Sequence, residues 1–226
     1  MALLHPIPRP HFAVRAAAVT KVFGDTVALW NINVDCGSGG LLAIHGANGS
    51  GKSTLLRILA GLTAPTRGRI SWTCDSPGVR PRIGLLGHAS HLFDELTAIE
   101  NVALAARLAG RDDAIAVDLL SRLGADQYGA RRAGGLSAGT RRRVGLARVL
   151  ATDPDVLLVD EPFAGLDERA ADLVGSVLAE ARDDARVVMI ATHDGTRSSF
   201  MATQAVELEA GGIRGVELIA AEELAR

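Results

Sequence analysis

The run Gly46-Ala47-Asn48-Gly49-Ser50-Gly51-Lys52-Ser53-Thr54 leaves this 226-residue chain few folds to choose from. It fits G-x4-G-K-[ST], and it lies between a short apolar run, Leu41–His45, and a helical pattern beginning at Lys52. Only a strand–loop–helix unit gives those residues a purpose. The glycines let successive backbone N–H groups converge on a polyphosphate, and the following helix N-terminus adds its dipole. Lys52 can then reach the β- and γ-phosphates, and the Ser53 hydroxyl can ligate Mg²⁺. The spacing implies that a nucleoside triphosphate binds here.

A second site begins where Val156-Leu157-Leu158-Val159 runs into Asp160-Glu161-Pro162. A continuous apolar run is typical of a strand covered on both faces. Asp160, at its C-terminal end, is expected to face the glycine-rich loop across a parallel sheet and to hold Mg²⁺. Glu161 is placed to polarise an attacking water.

The rest of the chain supports an α/β reading. Strands are expected at Phe12–Val19, Thr26–Val34, Leu41–His45, Arg69–Thr73, Arg82–Leu86, Asp155–Val159 and Val187–Ala191, with a terminal hairpin of Ala205–Leu208 and Val216–Leu218. Helices are expected over Lys52–Leu62, from Thr97 to about Leu123 with a break near Gly110-Arg111-Asp112, over Gly139–Leu150, and over Glu168–Ala181. Thr97 with Glu100 three residues on reads as a capping box.

Composition narrows the function classes. Hydrophobic residues make up 48% and charged residues 22%, values of a globular chain that excludes disorder. A net charge of −2 argues against a nucleic-acid partner, and 4% aromatics against stacking surfaces. Cys36 and Cys74 show no metal-ligand spacing and read as free thiols. The proline-broken N-terminus does not read as a signal peptide, and no apolar stretch approaches the ~18 residues of a membrane span.

The order of the parts then points to a family. After the glycine-rich loop come Leu136-Ser137-Ala138-Gly139-Thr140, then Asp160-Glu161-Pro162, then Gly165-Leu166-Asp167, then Ala191-Thr192-His193-Asp194. This sequence of motifs resembles the ATP-binding cassette family over nearly the whole chain, from about Val14 to about Val216. The resemblance implies an ATP-hydrolysing cassette using ATP and Mg²⁺, built as one nucleotide-binding domain over residues 1–226. Its fold would be a P-loop NTPase core with a parallel sheet flanked by helices, an N-terminal antiparallel β subdomain and a helical signature subdomain at about 95–150.

Residue by residue, the resemblance makes Phe23 the adenine-stacking aromatic and Gly46, Asn48, Gly49, Ser50, Gly51, Lys52, Ser53 and Thr54 the phosphate loop. Ser53 and Asp160 become the Mg²⁺ ligands, Glu161 the base, and His193 the switch histidine beside the γ-phosphate. Ser137 and Gly139 become contacts to ATP bound on a second cassette, and Asp167 couples the two sites. Ala138 and Thr140 replace the third and fifth residues of the family's usual Leu-Ser-Gly-Gly-Gln. His88 stands where the family normally carries a glutamine that links the nucleotide to a membrane partner, so it joins the candidate catalytic set.

Gly87-His88, Leu96–Asn101, Arg69–Trp72 and Asp160–Phe163 are similar to the haem-exporter, or cytochrome c maturation, branch. The expectation is therefore a motor at the cytoplasmic face of the cell membrane. It would be peripheral, paired as a homodimer or with another cassette, and docked on permease subunits. A drug or lipid exporter is the alternative. A soluble, non-transport cassette fits less well, because only 85 residues separate Lys52 from Ser137 and one phosphate loop is present.

Overall fold

The computed structural model describes residues 9–193, 195–199 and 201–219. Among these the strands form two sheets. The first has the order β2-β1-β4 and is antiparallel: β1 is Phe12–Phe23, β2 is Thr26–Gly37 and β4 is Arg67–Cys74. The second has the order β5-β6-β7-β3-β8-β9, from β5 (Ile83–Leu86), β6 (Val156–Asp160), β7 (Val187–Ala191), β3 (Leu41–His45), β8 (Gln204–Glu209) and β9 (Gly212–Leu218). Its neighbours are parallel except for the β8–β9 hairpin. Helices are α1 (Lys52–Leu59), α2 (Ala98–Leu108), α3 (Ile115–Arg122), α4 (Ala138–Ala151), α5 (Glu168–Asp183) and the short α6 (Gly195–Ser199). This is the expected α/β class: an antiparallel N-terminal sheet, a mainly parallel second sheet and flanking helices.

Strands β6 and β7 are buried at every residue, as continuous apolar runs require when both faces are covered. Their alternation sorts side chains into two cores. Leu157, Val159, Val188 and Ile190 point into a core shared with α2, α3, α4 and α5. Val156, Leu158, Val187 and Met189 point the other way, onto α1 and the inner face of the antiparallel sheet. Helix α1 is thus held between the two sheets, which fixes the loop that precedes it.

Several boundaries differ from the sequence reading. β1 and β2 continue to Phe23 and Gly37 because Ala18 and Asn31, at φ 52° and 50°, absorb register shifts within the pairing. The break in alternation near Val19 is therefore a bulge inside the strand. Helix α1 stops at Leu59 instead of Leu62: Gly61 turns left-handed at φ 74°, and the Gly61 and Leu62 N–H groups donate back to Ile58 and Arg57. Leu62 is left on the surface.

The long helical stretch is divided into α2 and α3, at the expected Gly110-Arg111-Asp112 break. Thr97 caps α2 as foreseen: its hydroxyl accepts from the Glu100 N–H, and the Glu100 carboxylate accepts from the Thr97 N–H at 2.8 Å. Hydrogen bonds donated to the Glu100 carboxylate by the Thr97 N–H and the Thr97 hydroxyl hold it below its ordinary pKa. Helices α2, α3 and α4 pack on one another as a separate cluster beside the sheet.

Candidate nucleotide site

The sheet order brings three strand ends together. In register, Asp160 of β6 pairs with Ala191 of β7, and Ala191 pairs with Ile44 of β3. The glycine-rich loop, the Asp160-Glu161 pair and the Thr192-His193 stretch therefore leave the same carboxyl edge of a parallel sheet. That is where ligands bind in open α/β folds.

The loop's shape depends on two glycines. Gly46 sits at φ 144°, and a Cβ there would come within 2.3 Å of the Leu208 carbonyl oxygen and 2.6 Å of the Ser50 hydroxyl. Gly51 sits at φ 106°, where a Cβ would meet the Ala28 carbonyl and Leu29 side chain at 2.6 Å. Neither conformation nor space suits any other residue. Helix α1 opens with no side-chain cap and no acidic residue in its first turn, so its leading N–H groups face outward uncompensated.

Lys52 is buried at 6% exposure, and its Nζ donates to the Gly46 and Ala47 carbonyls at 2.7 and 3.1 Å. The same Nζ is 3.9 Å from Glu161 Oε1. Ser53 is exposed on the first turn and Thr54 half-buried, while the buried Ser50 hydroxyl has no protein partner. Asn48 and Gly49 form the exposed crest of the loop.

Asp160 is 4% exposed, and among the described residues its Oδ1 has no hydrogen-bond partner. Glu161 takes a left-handed backbone at φ 52°, uncommon and strained for a glutamate, and its N–H donates to the Ala191 carbonyl at 2.7 Å. The turn aims its carboxylate back over the sheet edge, where Oε2 lies 2.8 Å from Nδ1 of the exposed His193 ring. Lys52, Glu161 and His193 thus form one connected group. Asp194 lies outside the described residues.

A donor set of this kind suits Mg²⁺: a buried carboxylate oxygen with no protein partner, an exposed hydroxyl on Ser53, and open space for phosphate oxygens. Among the described residues no group of three or more His, Cys, Asp or Glu could hold a metal by itself. A bound cation there needs oxygens from the nucleotide.

The other candidates lie elsewhere. Ser137 caps α4, its hydroxyl accepting from the Thr140 N–H and donating to the Thr140 hydroxyl. Thr140 thereby acquires a local structural task of its own. Gly139 is needed within its own chain: a Cβ there would lie 2.4 Å from the Gly165 carbonyl oxygen. Asp167 caps α5 by accepting from the Ala170 N–H at 2.8 Å. His88 is exposed on a cleft of about 510 Å³ lined also by His91, Ala138, Arg142 and Gly165. Phe23 is 51% exposed, outside the core, with the Lys21 ammonium 4.7 Å from its ring centre.

One residue at this site was missed by the sequence reading. Arg141-Arg142-Arg143 reads as a solvated basic face, yet Arg142 is only 7% exposed. Its Nη1 donates to the Gly87 and His88 carbonyls at 3.3 and 3.1 Å, while Nε and Nη2 are buried without partners. Burial lowers its pKa, and the charges of Asp160 and Glu161 oppose that shift. The signal was present in the helix phase: Arg142, Leu146 and Val149 share one face of α4, and all three are buried.

Fold and site together describe a nucleotide-binding cassette, and comparison with known proteins agrees. A family model for ABC transporters matches residues 29–164, more than half of the chain. The chain belongs to the ABC transporter family, as its ATP-binding subunit, an ATPase that works on ATP with Mg²⁺. It is 37% identical over 216 residues to the probable sulfate/thiosulfate import ATP-binding protein CysA of Chlorella vulgaris, covering 91% of this chain and 90% of that protein. It is 36% identical over 214 residues to CysA of Mycobacterium tuberculosis strain H37Rv, covering 91% of this chain and 61% of that one. A further 37% identity over 207 residues joins it to CysA of Thermosynechococcus vestitus, 62% of which is covered. The chain thus spans about three fifths of the length of these bacterial relatives.

Among solved structures, the dimeric post-hydrolysis state of the ATP-binding cassette MJ0796, bound to ADP and Pi, superposes with a TM-score of 0.82 at 28% identity. That match covers 92% of this chain and 99% of the other. These relatives correct one expectation. Likeness to the haem-exporter branch rested on four short stretches, and the relatives matched over nine tenths of the chain are named for sulfate and thiosulfate import instead.

Proposed function

We propose that the chain is the motor of a membrane transporter, a single nucleotide-binding domain whose α2–α4 cluster, at about 95–150, is the signature subdomain. Two cassettes would clasp ATP between them and drive permease subunits from the cytoplasmic face of the membrane. Among the described residues no helix is long and apolar enough to cross a membrane, so the transport path on this reading belongs to a partner.

The proposed roles follow from chemistry and placement. Lys52 leaves the Gly46 and Ala47 carbonyls for the β- and γ-phosphates, joined by the loop N–H groups, and Phe23 offers a ring face to adenine. Ser53 and Asp160 would hold Mg²⁺, which would neutralise phosphate charge. Glu161 accepts a proton from water as the water oxygen bonds to the γ-phosphorus. The bond to the β-phosphate oxygen breaks, and ADP leaves. His193, hydrogen-bonded to Glu161, orients that water. Ser137 and Gly139 act on ATP held by the second cassette, and Asp167 links the two sites. His88 relays nucleotide state toward the permease.

For cargo, identity across nine tenths of the chain favours a small oxyanion importer of the sulfate/thiosulfate type. The haem-exporter reading keeps only the local likeness of its four short stretches. Mass identification of the co-purified permease separates the two.

The observation that carries the hydrolytic reading is the Lys52–Glu161–His193 group at the mouth of the glycine loop. Glu161→Gln keeps the side-chain shape and removes the base. ATP binding is expected to persist while turnover falls at least ~10²-fold, with an ATP-bound dimer accumulating on size-exclusion chromatography. Wild-type turnover in that variant removes Glu161 as the base.

A further inference from the structure

Arg142 is a buried cation with too few partners. Among the described residues its five N–H donors meet two protein acceptors, both loop carbonyls reached from Nη1, and Nε and Nη2 find none at 7% residue exposure. An unpaired buried donor is destabilising, so a position that keeps a guanidinium there needs a reason beyond packing. The matching defect lies nearby: β5 and β6 pair Leu86 with Val159, so Gly87, which Arg142 grips, and Asp160 leave adjacent strand ends, and among the described residues the buried Asp160 Oδ1 has no partner. Asp160 and Glu161 are also the charges that Arg142 feels, although it hydrogen-bonds to neither.

The loop that Arg142 grips is fitted to the same helix. Gly145, one turn further along α4, lies so close that a Cβ there would be 3.0 Å from Leu86 and Ser90 on either side of Gly87-His88. The loop is therefore laid flat on α4 by a missing side chain and pinned by one arginine. His88 belongs to that loop and faces the cleft.

We infer that Arg142 is a positioning residue that links two events: it ties the Gly87-His88 loop to α4, and it serves as stand-in counter-charge for Asp160 and Glu161, a place it cedes to Mg²⁺. This rests on the proposed Mg²⁺ role of Asp160. Mg²⁺ at Asp160 would add a cation that competes with the guanidinium for the same carboxylates and repels it, which weakens the hold on Arg142 and, through it, on the loop carbonyls. Occupancy of the nucleotide site would thereby reach His88 through an ionic route within one chain.

The test uses the full chain and three substitutions. In nucleotide-free protein, hydrogen exchange of amides 87–92 should be about tenfold faster in Arg142→Gln than in wild type, because the pin is gone. In a second measurement, Mg²⁺ is titrated at fixed ATP and followed by the rise in melting temperature. Half-saturation should fall about tenfold in Arg142→Gln, since a competing charge has been removed. Arg142→Lys keeps the charge and loses the planar fork, so its loop exchange should resemble Gln while its Mg²⁺ midpoint stays near wild type. Arg142→Met, similar in length and uncharged, repeats both arms if the Gln variant does not fold. Unchanged loop exchange in Arg142→Gln or →Met overturns the tie, and an unchanged Mg²⁺ midpoint overturns the counter-charge role. A wild-type chain that hydrolyses no ATP breaks the functional reading instead, and the nucleotide-free exchange arm still decides the tie.

Discussion

Strand β6 has a buried carboxylate at each end, and the two are treated in opposite ways. At the amino end, Asp155 is 6% exposed and saturated: Oδ2 accepts from the Arg82 N–H at 2.9 Å and from its Nε at 3.1 Å, and Oδ1 accepts from Nη2 at 2.9 Å. Its neighbour Asp153 accepts from Arg9 at 2.5 Å and Arg186 at 3.0 Å. At the carboxyl end, five residues along, Asp160 is equally buried and keeps an oxygen with no partner. Beyond it, Glu161 accepts a strained backbone and leans on a lysine and a histidine that have other work on the proposed mechanism. Polar groups are spent on stability at one end of the sheet and withheld for a ligand at the other. Both ends hold a residue in the left-handed backbone, Asp153 and Glu161, so what separates them is the pairing of their buried carboxylate oxygens.

That contrast breaks most visibly at Asp160. Asp160→Asn should lower ATP turnover by at least ~10²-fold, the scale of losing one fixed electrostatic contact to the reacting phosphates. The melting temperature should move little, because the oxygen it alters has no protein bond to lose. A drop in stability as large as that of an Asp155 variant would make Asp160 a structural carboxylate and erase the distinction between the two ends.

The mirror experiment is Asp155→Ala. It removes two hydrogen bonds from the Arg82 guanidinium, which is half exposed and keeps Asp153, and it leaves the Arg82 backbone N–H without its acceptor; hydrogen bonds to a charged group are worth about 1.5–3 kcal/mol before solvent screening. A loss of about 2–3 kcal/mol in urea unfolding is expected, with turnover per folded molecule unchanged. A turnover defect with intact stability would show that the amino end also serves the site.

How far the sequence could show this contrast depends on the range of each interaction. Strand β6 and its carboxyl end were legible because an apolar run, two carboxylates and a glycine-rich loop are local patterns with few alternative uses. The capping box at Thr97 and the break at Gly110 were legible for the same reason. Asp153 and Asp155 passed unremarked, since their partners Arg9, Arg82 and Arg186 are scattered along the chain and meet only after the sheet forms. Arg142 was not picked out because a triplet of arginines suggests solvent, although helix phase places the middle one inward. The haem-exporter likeness rested on four short stretches, whereas the relatives matched over nine tenths of the chain are named for sulfate and thiosulfate import.

The finest separation between the two ends is their response to acid, and Asp153 measures it. Burial alone would push its carboxyl up; hydrogen bonding from Arg9 and the charges of Arg9, Arg186 and Arg111 outweigh that and bring it down to about 2. The ordinary unfolded value is about 3.9. A carboxylate whose folded pKa is depressed contributes its full stability above the unfolded value and loses it as pH falls through the folded one. Asp153→Asn should therefore cost up to about 2 kcal/mol at neutral pH, and the gap from wild type should shrink between about pH 4 and pH 2. Asparagine tolerates the left-handed backbone at this position, φ 52°, so the comparison isolates charge from conformation. Urea midpoints of the two proteins at pH 7, 5 and 3 would read the effect. A gap that stays constant down to pH 3 and below would mean that the arginine cluster at Asp153 acts by shape and hydrogen bonding, with no charge of consequence, and that the two ends of β6 differ less than their geometry suggests.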